Sequence, residues 1–347
     1  MSKKIIAVGI VLLVAAGAWL GAEEKLPKPA TKEAGKLMEK AEKAIKNKDL
    51  DGALAIYTEV QKLEPTYAPA YLTAAQVYRL KQDDANALVF LEKAIQANPE
   101  FARAIDAYAH LLSEKARQSS TQGKPAEAIP YLTRLLAMPG LETTRKPIYI
   151  DGLFNMGVSN FQARQFEASV EAFTKLLAVP DLETAAKSSF VLSHYMMGFN
   201  LSLLEKPEDA NGYLRKYVEL AGAEPGNNFV PVADYMIAKN EYALLDKEVA
   251  KIRDNKEETD VKTKVKAMAG QYANIPELLG KAIAARPELE DAYLVLGNYH
   301  YLAGDLDQAI AAYKTLVEKF AGSANKADYE SFLKKLEDEK AAAEAKK

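Results

Sequence analysis

The sequence predicts an all-α protein built as a row of antiparallel helix hairpins. Three observations lead there. One phrase is said twice: TRLLAMPGLET at 133–143 returns 41 residues later as TKLLAVPDLET at 174–184, with eight of eleven letters kept. A second spacing recurs nearby: Ala41, Ala53, Tyr57 and Pro65 are followed 34 residues on by Ala75, Ala87, Leu91 and Pro99. The composition, 49% apolar and 27% charged, is that of a folded chain rather than a disordered one. Fixed periods of this size mark stacked supersecondary units.

The first residues read as a targeting element. Lys3 and Lys4 precede an uncharged, mostly apolar run from Ile5 to Ala22, and Glu23 and Glu24 end it. A basic start followed by a solid apolar run at the N-terminus has the form of an export signal. Two readings stand for residues 1–22: a signal peptide cleaved after Ala22, or an uncleaved membrane anchor. Eighteen residues lie at the short end of the ~17–25 that span a bilayer. In both, the lysines stay inside and the body is exported. The expected location is therefore extracytoplasmic: periplasmic or secreted if cleaved, membrane-tethered through residues 5–22 if not. Residues 23–33, with Pro27 and Pro29, read as a linker.

The array itself is expected over 34–323. Small residues such as Ala41 and Ala53 let two helices approach, and larger neighbours fill the space on either side. The best single copy is Tyr293, Leu296, Gly297, Ala309 and Tyr313. Its turn, AGDLDQA, echoes NKDLDGA in the first unit, and Asp51 and Asp307 are expected to cap the second helix of each hairpin. In these positions and in its 34-residue period the chain resembles the tetratricopeptide repeat family. The resemblance implies a right-handed superhelical solenoid of about seven to eight units.

In the middle of the chain the spacing is 41: Ala128, Ser169 and Ala210, and Gly157 and Gly198. Seven extra residues are about two helical turns, which preserves the buried face. Long first helices are expected near 143–163 and 184–204. Units fall near 34–67, 68–101, 102–140, 141–182, 183–223 and 290–323. The span 224–289 reads as two degenerate units that open on the turn signal EPGNN. Residues 324–347 read as a polar helix that hides the last apolar face.

No catalytic constellation is legible. There is no cysteine, no HExxH, no G-x-S-x-G, no P-loop and no G-x-G-x-x-G. His110, His194 and His300 fall in three different units, so no metal site and no cofactor is expected. The acids of KEETD at 256–260 read as a solvated surface, and the sequon at Asn200 lies inside an expected helix. A formal charge of −3 argues against a nucleic-acid partner. An enzyme is not expected.

What remains is a surface. The resemblance implies a groove lined by first-helix residues, which here offers Arg103, Asp106 and His110, then Asp151, Phe154, Val158 and Phe161. It continues with Leu192, Tyr195, Phe199 and Leu203, then Asp291, Leu294, Asn298 and Tyr301. The candidate partner-binding residues are Phe154, Val158, Phe161, Leu192, Tyr195, Phe199, Asn298 and Tyr301. The same rings equally suit packing between long helices, and both readings are open at this stage. Met38 and Glu42 stand where a carboxylate-gripping clamp of the family would place basic and amide side chains, so that clamp is not expected. The expected function is an extracytoplasmic scaffold for a protein partner of the cell envelope. The alternative is an envelope polysaccharide or small ligand in the same groove, since 18 tyrosines offer rings for stacking. The oligomeric state is left open.

Overall fold

The computed structural model describes residues 26–221 and 229–345. Residues 1–22, read as signal or anchor, and the turn signal EPGNN lie outside the described residues. The protein is an all-α helical-repeat chain, with eighteen helices among the described residues. Contacts divide it into two compact units, 1–115 and 116–347. No described helix is long and apolar enough to cross a membrane.

The first unit holds two hairpins, α1 (Lys32–Lys46) with α2 (Leu50–Leu63) and α3 (Ala68–Leu80) with α4 (Asp84–Ala97). Helix α5 (Ala102–Thr121) carries the boundary between the units. The 34-residue positions do what their sizes require. Ala41, Ala53, Ala75 and Ala87 are buried where helices touch, and Tyr57 and Leu91 fill the space beside them. At the end of α2, the Glu64 carboxylate accepts hydrogen bonds from the Ala30 and Thr31 amides at 3.0 and 2.7 Å and from the Thr31 hydroxyl at 2.7 Å. These bonds hold its carboxyl below the usual range. Tyr67 adds a hydrogen bond to the Pro27 carbonyl at 2.7 Å. The chain entering the array is thus strapped to its first repeat.

The second unit continues with α6 (Pro125–Leu136), α7 (Leu141–Thr144), and the hairpin of α8 (Lys146–Gln162) with α9 (Phe166–Leu177). Then come α10 (Leu182–Ala185) and the hairpin of α11 (Lys187–Leu203) with α12 (Pro207–Ala221). Helices α13 (Val230–Asp254), α14 (Val261–Gly270) and α15 (Ile275–Ala285) follow, then the hairpin of α16 (Glu290–Leu302) with α17 (Leu306–Lys319), and α18 (Lys326–Glu344).

One turn recurs across both units. Lys48, Gln82, Gly123, Arg164, Glu205 and Gly304 each adopt positive φ between two helices. In each, the residue after it donates its amide to a carbonyl five residues back, as Asp49 does to Ala44 and Asp305 to His300. This left-handed closure satisfies the last carbonyls of one helix before the next begins. Only two of the six are glycine, so the register of the turn, not residue identity alone, imposes it.

Three expectations are corrected. The second-helix caps are Asp49 and Asp305, which accept from the amides of Gly52 and Gln308 at 2.9 and 3.1 Å. Asp51 and Asp307 stand two residues later, inside the first turn, and pair instead with Lys81 and Lys340. The cap must precede the helix, so the first aspartate of each D-L-D takes the role.

The long middle helices are also shorter than the spacing implied. The added residues do not all extend α8 and α11. Four form the separate turns α7 and α10, and the chain breaks at Arg145 and Ala186 before the main helix starts. Leu141 and Leu182 are buried, which pins each short turn to the core. In the first copy Pro147 follows the break, at a helix start where its missing amide costs nothing.

Among the described residues, the span read as two degenerate units holds three helices, not four. A single 25-residue helix, α13, replaces a hairpin. Its two halves face different cores: Ala233, Met236 and Ile237 join that of α8 to α12, whereas Ala238, Leu245 and Val249 join that of α14 to α16.

Candidate functional site

Helices α8 and α11 carry the candidate site. Phe154, Val158 and Phe161 stand at i, i+4 and i+7 of α8, and Leu192, Tyr195 and Phe199 at i, i+3 and i+7 of α11. That spacing places each set on one helical face. The faces meet where Phe161 and Phe199 contact edge-on, with ring centroids 5.4 Å apart. Tyr195 then links Phe199 at 5.9 Å, Tyr217 at 5.1 Å and Phe229 at 5.4 Å. Phe154 meets Phe173 edge-on at 5.8 Å. Offset and edge contacts of this kind are the favoured aromatic geometries.

Burial grades along the stripe. Tyr195 and Val158 are buried, and the Tyr195 hydroxyl is pushed above its ordinary pKa by desolvation. Phe154, Phe161, Leu192 and Phe199 are half-buried. One turn beyond Phe199, Leu203 is 44% exposed. The structure thus combines core and surface in one feature: the Phe161–Phe199 contact ties α8 to α11, while both rings keep partial exposure.

The stripe is supported from behind. A Cβ on Gly157 would lie 2.6 Å from the Phe173 ring, and one on Gly198 would lie 2.5 Å from Leu214 Cγ. Both glycines let a second helix press against the first, and this fixes where the rings of α8 and α11 stand.

Asn298 and Tyr301 belong elsewhere. Asn298 accepts a hydrogen bond from the Tyr313 hydroxyl at 2.6 Å. Tyr301 packs edge-on against Phe332 of the terminal helix at 5.4 Å, with Lys335 5.3 Å from its ring. Both are engaged by their own chain. Asp291 accepts from Tyr235 at 2.9 Å and Lys239 at 2.6 Å. Tyr235, Lys239 and Tyr242 of α13 are aligned at i, i+4 and i+7, and the sequence reading missed them. Their helical spacing was visible, but α13 lacks the small-residue period that identifies a first helix.

The histidines do not form a site. His110 is exposed. His194 is buried, with Nδ1 2.9 Å from the Phe190 carbonyl oxygen, and desolvation lowers its pKa, as it does for His300. Among the described residues, no three His, Asp or Glu side chains converge as metal ligands. Asn200 is fully buried and donates to the Met196 carbonyl at 2.7 Å, so the sequon cannot present a glycan.

One acid is out of place energetically. Asp234 is 6% exposed and has no hydrogen bond or ion pair among the described residues. Burial raises its pKa; Lys281 pulls it down, but that lysine is engaged by Glu277, which pushes it up again. As pH rises, the unfolded chain releases this proton first, because its carboxyl keeps the ordinary value. The native state then holds more protons, so stability falls between the ordinary and the raised pKa. Asp234→Asn is expected to add about 1 kcal/mol at pH 7, the scale of an unpaired buried polar group. The gain should shrink toward pH 4. Melting temperatures at both pH values check this, and a variant less stable than wild type at pH 7 contradicts it.

Two segments, residues 68–101 and 277–324, match models of the tetratricopeptide repeat. No curated protein matches the chain in sequence. Among solved structures, pilF of Pseudomonas aeruginosa aligns over 76% of this chain and 96% of its own, at 16% identity and a TM-score of 0.41. The C-terminal part of a TPR repeat-containing protein from Cytophaga hutchinsonii aligns over 84% and 98%, at 13% identity and a TM-score of 0.42. YrrB, described as a TPR protein with an unusual peptide-binding site, aligns over 54% and 86%, at 19% identity and a TM-score of 0.30. At these values the likenesses identify no partner for this chain.

Proposed function

We propose that this tetratricopeptide-repeat protein is a non-catalytic scaffold, and that it holds a protein partner of the cell envelope, outside the cytoplasm, on the α8/α11 face. The location rests on the N-terminal sequence alone: Lys3 and Lys4 ahead of the apolar run from Ile5 to Ala22. The binding reading rests on one observation. Half-buried rings of Phe154, Phe161 and Phe199 lie on the aligned faces of α8 and α11, which end at exposed Leu203. Apolar patches of this kind on a folded surface mark interaction sites, and aromatic side chains are typical anchors within them.

Phe154→Ala and Phe199→Ala are each expected to weaken partner capture tenfold or more, since hot-spot truncations cost ~2 kcal/mol or above. The test is crosslinking in envelope fractions with the full-length protein, with helicity and melting temperature followed in parallel. A single crosslinked protein that disappears in both variants, with helicity intact, is the expected result. Unchanged capture in folded variants removes the face from the binding surface and returns its rings to the core. The mass of the N-terminus in the same sample separates a cleaved signal from a retained anchor.

A further inference from the structure

The α8/α11 face carries one charge that its own chain does not answer. Across the 34 residues of α8 and α11, only Lys146, Asp151 and Lys187 are Lys, Arg, Asp or Glu. Lys146 lies against the Pro180 carbonyl and Asp181, at the start of α8. Lys187 is the first residue of α11 and makes no ion pair with Asp151. Asp151 stands one turn before Phe154 and two before Val158, at i, i+3 and i+7, so it shares their face. Asp151 is exposed, its carboxylate has no hydrogen bond or ion pair among the described residues, and the protein on one side of it raises its pKa by partial desolvation.

This arrangement constrains what can cover the stripe. An apolar segment laid over Phe154, Phe161 and Phe199 strips more water from Asp151. An unpaired carboxylate resists that, because burying a charge is costly unless a partner compensates. A cationic side chain on the covering segment removes the cost and adds a charge-assisted hydrogen bond. Arginine fits better than lysine: its planar fork meets a carboxylate at two points, and the weakly hydrated guanidinium is better suited to a site beside the Phe154 ring.

We infer that the α8/α11 face takes an apolar polypeptide segment bearing an arginine that pairs with Asp151, next to the residue that packs on Phe154. This deepens the scaffold reading and rests on it.

The test uses the full-length protein and a set of fluorescent peptides. All share one Leu- and Phe-rich core and differ only in one flanking residue: arginine, citrulline or glutamate, at either end. Citrulline keeps the shape of arginine and removes its charge. The expected result is about tenfold tighter binding of an arginine peptide than of its citrulline twin, the equivalent of one pKa unit of differential interaction. Asp151→Asn should erase that difference, and Phe199→Ala should weaken both peptides together. Equal binding of arginine and citrulline peptides, still lost in Phe199→Ala, overturns the arginine inference and leaves the face as a binding surface. Absence of peptide binding, with envelope crosslinking still dependent on Phe199, also overturns it. Independence from Phe199 in both assays overturns this inference and the scaffold reading together.

Discussion

Replacing Gly198 with valine is expected to open the α11/α12 hairpin at a cost of ~3 kcal/mol or more, at or above the usual range for overpacking. The first added carbon already stands 2.5 Å from Leu214 Cγ and 2.8 Å from its Cδ2. A leucine tip can rotate away. The Ala210 carbonyl oxygen, 3.0 Å from the same point, belongs to the backbone of α12 and cannot. The helix must therefore move, and valine's two methyls demand more movement than alanine. Stability in a repeat array is a sum over neighbouring units, so the damage should be local. Hydrogen exchange is expected to rise in peptides from α11 and α12, and far less in α1 to α4. The control is Gly212→Ala in α12, where an added carbon meets nothing within 4 Å. It should stabilise by roughly 0.5–1 kcal/mol, the helix-interior difference between the two residues. Equal exchange in Gly198→Val and wild type defeats the account.

Phe173→Ala should be as damaging by the opposite route. Phe173 is fully buried, its ring lies against Gly157, and it meets Phe154 edge-on. Removing it leaves a cavity that α8 cannot fill, because the facing position has no side chain. The expected cost is ~3–5 kcal/mol. Urea unfolding measures it. Coupling to Gly157 gives a sharper check. Gly157→Ala alone drives a carbon to 2.6 Å from the ring, so it destabilises. Combined with Phe173→Leu, a smaller side chain, it should cost less than the sum of the two single changes. Strict additivity means the glycine is not there to admit the ring. Phe154 meets Phe173 edge-on, so this pair also sets the α8 end of the proposed binding face.

These contacts show what was readable beforehand. Gly157, Gly198 and Gly297 were placed at packing positions by period alone, and each faces a large side chain of the partner helix: Phe173, Leu214 and Tyr313. The hairpins were legible for the same reason, since small residues at fixed spacing carry their own instruction. Errors arose where several local solutions share one spacing. Seven extra residues satisfy either a longer helix or a short turn plus a break, and buried Leu141 and Leu182 chose the second. Two aspartates two residues apart both suit a cap, and only the helix start selects between them. In α13 the period is absent, so nothing in the sequence announced that one helix would serve two cores.

The sequence by itself determined the helices, most of their pairings and the absence of a recognisable catalytic motif, because hairpin period and turn chemistry act over a few dozen residues. The tertiary structure decided which neighbours each ring meets. Phe199 and Tyr301 look alike in sequence, each on a first-helix face. Both are partly buried: one joins the stripe that leads to exposed Leu203, and the other packs edge-on against Phe332 of the terminal helix. The difference lies in what a neighbouring helix brings against each ring. That neighbour is fixed by packing, and helical periodicity within a single segment carries no information about it.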